Sequence, residues 1–179
     1  MEISVKKRDG NLEKFDASKI NNTVLRACEN LDSVSASEIC LDAKISVFDG
    51  ISTQDIDNSL ILSARSKIYK EPNYSFVAAR LLLSALYKEV FKRSSLQETF
   101  EDEYQAEFIR NIKLGVKKGV YTKEFSSFDL KKLSKAIVPQ RDLKFKYSGL
   151  INIYDRYLMR VGGKVIESPQ AYFMRIAMG

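Results

Sequence analysis

Histidine and tryptophan are both absent from the 179 residues, and there are only two cysteines and three prolines. Without histidine the chain holds no Ser-His-Asp or Cys-His arrangement, no imidazole metal ligand and no imidazole acid-base group. Two cysteines do not build a disulfide-dense secreted scaffold, so a reducing cytoplasm is the expected setting. No uncharged apolar run approaches the ~18 residues of a membrane span, and the opening MEISVKKRDG lacks the apolar centre of a signal peptide. Neither a P-loop nor a GxGxxG turn is present. Cys28 and Cys40 lack CxxC spacing and fall on apolar faces of predicted helices, which reads as core packing rather than zinc or dithiol chemistry.

What is there is a chain 45% hydrophobic and 29% charged, long enough for one domain or one and a half with a real core. Its charge is uneven. Residues 1–109 carry net −4, residues 110–146 net +8, and residues 147–179 net +2. The basic segment 110–146, with Phe125, Phe128 and Phe145 among its lysines, has the make-up of a single-strand nucleic-acid binder. A solvated basic face beside an acidic neighbour is the plainer reading of the same residues.

Glu2–Arg8 alternates like a short strand, Asp9-Gly10 signals a tight hairpin turn, and Asn11–Phe15 returns. Asp16 stands at an N-cap position before Ile20, Val24, Ala27, Cys28 and Leu31 at helical spacing. A second helix, capped by Ser35 or Ser37, carries Ile39, Cys40, Ala43 and Val47 and stops at Asp49-Gly50. Ser52 or Thr53 caps a third, with Ile56, Leu60, Ile61, Ala64 and Ile68 on one face. A fourth, apolar around much of its circumference, runs from about Tyr74 to Arg93 and should lie centrally. The expected fold is mainly α (α+β): a small N-terminal β-hairpin on a four-helix bundle over residues 1–93, then a further helical region over 94–179. In that region helices are predicted over Phe100–Val116, Asp129–Ile137, Gly149–Met159 and Pro169–Met178, with a strand over Leu143–Tyr147 and a turn at Gly162-Gly163. Tyr172, Phe173, Ile176 and Met178 on the last helix are expected to form an exposed apolar patch.

One cluster has binding chemistry. Lys6, Lys7 and Arg8 crowd a strand end beside a tight turn, where their charges converge on one polyanion, and Lys19 near the next helix start can join them. Glu13 and Asp16 supply hydrogen-bond acceptors for a base or sugar. A charged, exposed hairpin with an N-cap aspartate would have the same sequence.

The run Val5-Lys6-Lys7-Arg8-Asp9-Gly10, followed by Glu13, Phe15, Asp16 and Lys19-Ile20, resembles the opening of an ATP-cone, a nucleotide-sensing regulatory domain. Phe48–Asp57 (FDGISTQDID) resembles the Gly-then-Thr stretch of that family, and Tyr74–Leu82 resembles its last helix. Further on, Arg141-Asp142, Tyr147–Leu150, Tyr154–Leu158 and Ile166–Gln170 through Met174–Gly179 resemble the region after the cone in the large subunit of aerobic class I ribonucleotide reductase.

The resemblance implies a module that senses ATP or dATP, with Mg2+ accompanying the nucleotide. By position, Val5, Lys7, Arg8, Glu13, Asp16 and Lys19 match the hairpin and first-helix nucleotide contacts, and Thr53 and Lys88 match later ones. Asp57 stands where some members carry histidine, and a carboxylate there would repel phosphate. The implied partners are the remaining catalytic region of the large subunit, the reductase small subunit and a second copy through the cone, with no membrane. No catalytic residue is assigned and no metal ligand. The chain on its own is expected to be catalytically inactive, since the sequence is read as stopping before the catalytic barrel. A nucleic-acid-binding protein using residues 110–146, and a degenerate cone serving only assembly, are the competing expectations.

Overall fold

The structure is a computed structural model that describes residues 3–44, 47–92 and 100–179. The chain divides into two compact units, residues 1–85 with 145–149 and residues 86–144 with 150–179. The domain boundary expected at 93/94 lies outside the described residues.

In the first unit, β1 (Ser4–Lys6) pairs antiparallel with β2 (Leu12–Lys14), with Val5 opposite Glu13. The turn closes as read. Gly10 takes φ +91°, and the Asp9 carboxylate accepts from the Asn11 backbone N–H at 3.0 Å and its side-chain amide at 2.9 Å. α1 (Ala17–Cys28) begins at Asp16, whose carboxylate accepts from Ser18 N–H at 2.8 Å. Its buried face is Ile20, Val24 and Ala27. The Arg80 guanidinium donates to the carbonyls of Ala27 and Glu29, satisfying orphan acceptors at the end of α1. α2 (Ala36–Lys44) buries Ile39, Cys40 and Ala43.

The sequence reading carries α2 through Val47 to Asp49-Gly50, but Val47 and Phe48 are not helical. Residues 47–50 instead lead into β3 (Ile51–Ser52), a strand not foreseen, which pairs parallel with β1 and gives the sheet order β2-β1-β3. Two further bonds tie this return to β1: Ser4 N–H to the Asp49 carboxylate (2.8 Å) and Gly50 N–H to the Ser4 carbonyl (2.9 Å). α3 (Thr53–Ser66) starts directly from β3, with the Ser52 hydroxyl accepting from Asp55 N–H at 3.0 Å. α4 (Tyr74–Val90) has little polar circumference, and Val77, Ala78, Ala79, Leu81, Leu82 and Leu83 are all buried. Tyr74 receives Ser35 N–H on its hydroxyl, and Ser75 receives Tyr147 N–H.

The second unit contains the end of α4, α5 (Phe100–Lys117), α6 (Leu130–Ser134), most of α7 (Tyr147–Arg156), a hairpin of β4 (Arg160–Val161) and β5 (Lys164–Val165), and α8 (Pro169–Met178). Tyr87, Phe91, Phe100 and Tyr104 form a ring cluster with centroids 5.0–5.6 Å apart. Such pairs add about 0.5–1.5 kcal/mol each beyond area burial. The strand expected over Leu143–Tyr147 is not formed. Residues Pro139–Lys144 make a 3-10 turn that points Asp142 inward, and α7 already begins at Tyr147. On α8, Phe173 and Ile176 are exposed as expected, whereas Met178 is buried.

The buried carboxylate of Asp142 accepts from Tyr87 Oη (2.8 Å), Tyr104 Oη (2.9 Å) and Gln170 Nε2 (2.9 Å). Burial pushes its pKa up to about 6, against the partial opposition of those three donors. Glu167, also buried, holds Arg175 in a two-pronged pair at 2.7 and 3.0 Å and accepts from Met159 N–H.

Candidate functional site

The sheet brings the hairpin residues and the start of α3 into one corner. Val5, the buried centre of β1, lies between Glu13 on β2 and Ile51 on β3. Lys6 is in register with Ser52, so the chain positions that follow, Lys7 and Thr53, sit at the same end of the sheet. There the N-terminus of a 14-residue helix meets the basic end of the hairpin. Unpaired helix N–H groups and their dipole favour an anion at such a place.

Two lysines share one carboxylate. Lys7 Nζ reaches Glu13 Oε2 at 2.6 Å, and Lys19 Nζ bonds to Glu13 Oε1. The Lys19 hydrogen bond, then the Lys7 hydrogen bond, hold the Glu13 carboxyl down at about 2. Glu13 in turn raises the Lys19 ammonium pKa. These side chains are 36–61% exposed, so the pairs are solvent-screened and contribute little to the fold. A multiply charged anion can therefore take either lysine from Glu13 at low cost.

Arg8 is held differently. Its Nη2 lies 3.3 Å from Oδ2 of Asp57, whose side chain is only 9% exposed on α3. Breaking a pair with one partner this buried costs more, about 2 kcal/mol or above. The Asp57 carboxylate is thus engaged by a cation rather than facing solvent as a bare negative charge.

Asp16 caps α1, and its Oδ1 takes both the Ser18 N–H and the Ser18 hydroxyl, the latter at 2.6 Å. Those bonds, side chain first, lower its pKa. Thr53 is half-buried as the first residue of α3. Lys88 lies half-buried on α4 within the second unit. The structure therefore gathers Val5, Lys7, Arg8, Glu13, Asp16, Lys19, Thr53 and Asp57 in the first unit. Sequence reasoning found Ser52 as a helix cap but missed the strand that Ile51 and Ser52 form, which brings Thr53 to the hairpin. The signal was present: Asp49-Gly50 is a turn, and two residues remain before a helix cap.

The corner holds cations, a helix N-terminus, the carboxylates of Glu13, Asp16, Asp55 and Asp57 and no imidazole or thiol. Cations beside a helix N-terminus are an arrangement that can hold an anion. Among the described residues no group of three His, Cys, Asp or Glu is placed to hold a metal ion, and no helix is long and apolar enough to cross a membrane.

Residues 3–89 match the ATP cone domain family. The chain is 40% identical over 182 aligned residues to the ribonucleoside-diphosphate reductase subunit alpha of Helicobacter pylori, covering 98% of this chain and 22% of that protein. It is 36% identical over 178 residues to the subunit alpha of Chlamydia muridarum, covering 99% of this chain and 17% of that protein. The ribonucleoside-diphosphate reductase large chain of Schizosaccharomyces pombe is 31% identical, with coverages of 98% and 22%. The chain thus spans about a fifth of the length of these curated relatives. Its residues 3–89 belong to the ATP cone family, and nearly its whole length is homologous to a segment of ribonucleoside-diphosphate reductase alpha subunits.

Proposed function

We propose that this chain is the regulatory part of a ribonucleoside-diphosphate reductase alpha subunit, binding ATP or dATP at the hairpin corner and passing the bound state on to assembly. The observation that supports the reading is the parallel pairing of β1 with β3, which brings the start of α3 to the sheet end that carries Lys7 and Arg8. The residues fit a nucleoside triphosphate. Lys7 and Lys19 neutralise phosphate once Glu13 releases them, and Arg8 adds a third charge held in place by Asp57. Glu13 and Asp16 then face the base and sugar, Thr53 lends its hydroxyl and N–H to the phosphate side, and Val5 packs against the base. Mg2+ arrives with the nucleotide and offsets further phosphate charge.

ATP and dATP differ by one hydroxyl. A polar partner left unpaired near the ribose costs about 1–3 kcal/mol, which is about five- to 150-fold in affinity. That difference drives a switch only where the two assembly states bind the nucleotide unequally. The partners are the rest of the alpha subunit, the reductase small subunit and a second cone, in the cytoplasm.

Amide chemical-shift mapping tests the site. Added ATP should shift residues of β1, β2, the start of α1 and the start of α3 together. Shifts confined to α5 and α6, or none in a folded chain, would remove the reading.

A further inference from the structure

The basic segment singled out by composition takes no part in the hairpin corner. Of its eleven cations, Arg110 pairs with Glu107, and Lys146 lies over the Phe76 ring. The other nine are Lys113, Lys117 and Lys118 on α5, Lys123 just beyond it, Lys131, Lys132 and Lys135 on and after α6, and Arg141 and Lys144 in the 3-10 turn. All nine are exposed, and none forms an ion pair among the described residues. α5 packs against both α6 and the turn that carries Lys123, so most of these charges gather around the C-terminal end of α5.

Of the three acids in the same stretch, Glu124 and Asp129 are exposed and offset two of the nine cations, which leaves an excess of seven positive charges, while the third is withdrawn from the face. Asp142 is buried under its three donors. Asp129 is spent on capping α6 through Lys132 N–H at 3.0 Å. Glu124 is occupied by Thr122, whose hydrogen bond lowers its pKa. Self-repulsion among uncompensated like charges disfavours the compact state. The helix dipole accounts for Lys117 in the last turn of α5 and for Lys131 and Lys132 in the last turn of α6, and it does not account for the rest.

We infer that this face is a docking surface for an acidic protein segment carrying apolar side chains. Charge complementarity sets the sign of the partner, and three features set its class. Eight of the nine cations are lysines, point charges without the planar fork that grips phosphate in two places. The aromatic residues nearby do not form a row of platforms for bases: Tyr121 is buried and stacked on Phe125 at 5.3 Å, which leaves Phe128 as the exposed ring. Phe128 and Val120, each 41% exposed, offer apolar footholds among the lysines, as an acidic segment with hydrophobic residues would use.

The test compares two labelled polyanions, poly-L-glutamate and oligo-dT of about twenty units each, by fluorescence anisotropy on the full chain at about 50 and 200 mM salt. Poly-L-glutamate should bind saturably and more tightly than oligo-dT. The substitution set Lys117→Glu, Lys118→Glu, Lys131→Glu and Lys132→Glu should weaken it by about tenfold or more. The same four positions changed to Gln keep side-chain size, should weaken binding in the same direction, and should leave the unfolding transition in place. Tighter binding of oligo-dT would overturn the inference in favour of a nucleic-acid face. Absence of binding, or binding that both variants retain, would show a merely solvated surface.

Discussion

Arg8 and Asp57 are 49 positions apart and meet at 3.3 Å, the arginine leaving the end of β1 and the aspartate lying in the second turn of α3. The pair joins the basic hairpin to the helix that starts beside it. It also turns a residue that would repel phosphate into the counter-ion of one that attracts it. In Asp57→Asn the guanidinium loses its partner while side-chain volume is kept. Thermal unfolding should register a loss of about 2 kcal/mol or more. Triphosphate affinity should rise severalfold, because Arg8 no longer has a competing anion. Weaker binding in Asp57→Asn, at unchanged folding, would show that Asp57 contacts the nucleotide productively.

Glu13 gives a pH dependence of known sign. Its carboxyl titrates at about 2 in the folded chain, below an ordinary value of 4.5, first because of Lys19 and then Lys7. A depressed carboxyl stabilises the fold above its unfolded value, and that contribution disappears as pH falls from about 4.5 to 2. Side-chain carbon shifts of Glu13 should show a midpoint near 2 in the wild type. In Lys19→Ala the midpoint should move up towards 4.5. A midpoint that ignores the substitution would mean that Lys19 does not hold this carboxylate.

Asp142 works in the opposite direction. Burial raises it to about 6 from an ordinary 3.8, so between those values the folded chain binds a proton that the unfolded chain has lost. Stability should therefore fall as pH rises from about 4 to 6 and level off above, a change of roughly 3 kcal/mol from this one group. Urea unfolding across that range should show the slope, and Asp142→Asn should flatten it. An identical slope in the variant would assign the effect elsewhere.

Gly115 lies where α5 meets Tyr121, and a methyl group built on it would fall inside the Tyr121 ring. The ring is buried and stacked on Phe125, and the Tyr121 and Val120 N–H groups both donate to the Gly115 carbonyl. Overpacking of this kind costs about 1–3 kcal/mol. Gly115→Ala should lower the melting temperature by that equivalent, while substitution at Gly119, where a methyl meets open space at φ +69°, should show only backbone strain.

Much of the first unit was legible because its signals are local. Asp9-Gly10 dictates the hairpin, Asp16 caps α1, and the near-continuous apolar surface of α4 demands a central position. β3 was not legible: two residues have no periodicity, and their partner lies about 45 positions back in β1. The false strand at Leu143–Tyr147 arose because exposed Lys144 and Lys146 bracket half-buried Phe145, and a five-residue alternation does not separate a strand from a 3-10 turn entering a helix. In the site, the cations of the hairpin could be read as a cluster. Their partners could not, because Glu13 sharing two lysines and Asp57 holding Arg8 are consequences of the tertiary fold.

Calorimetric titration of the purified chain with ATP and then dATP, in magnesium, beside the Lys7→Ala variant, tests whether the hairpin corner binds an adenine nucleoside triphosphate. The account predicts saturable binding of both nucleotides at micromolar affinity or better, weakened about tenfold or more in Lys7→Ala at unchanged folding. No heat with either nucleotide in a folded chain, or equal binding by the variant, would contradict it.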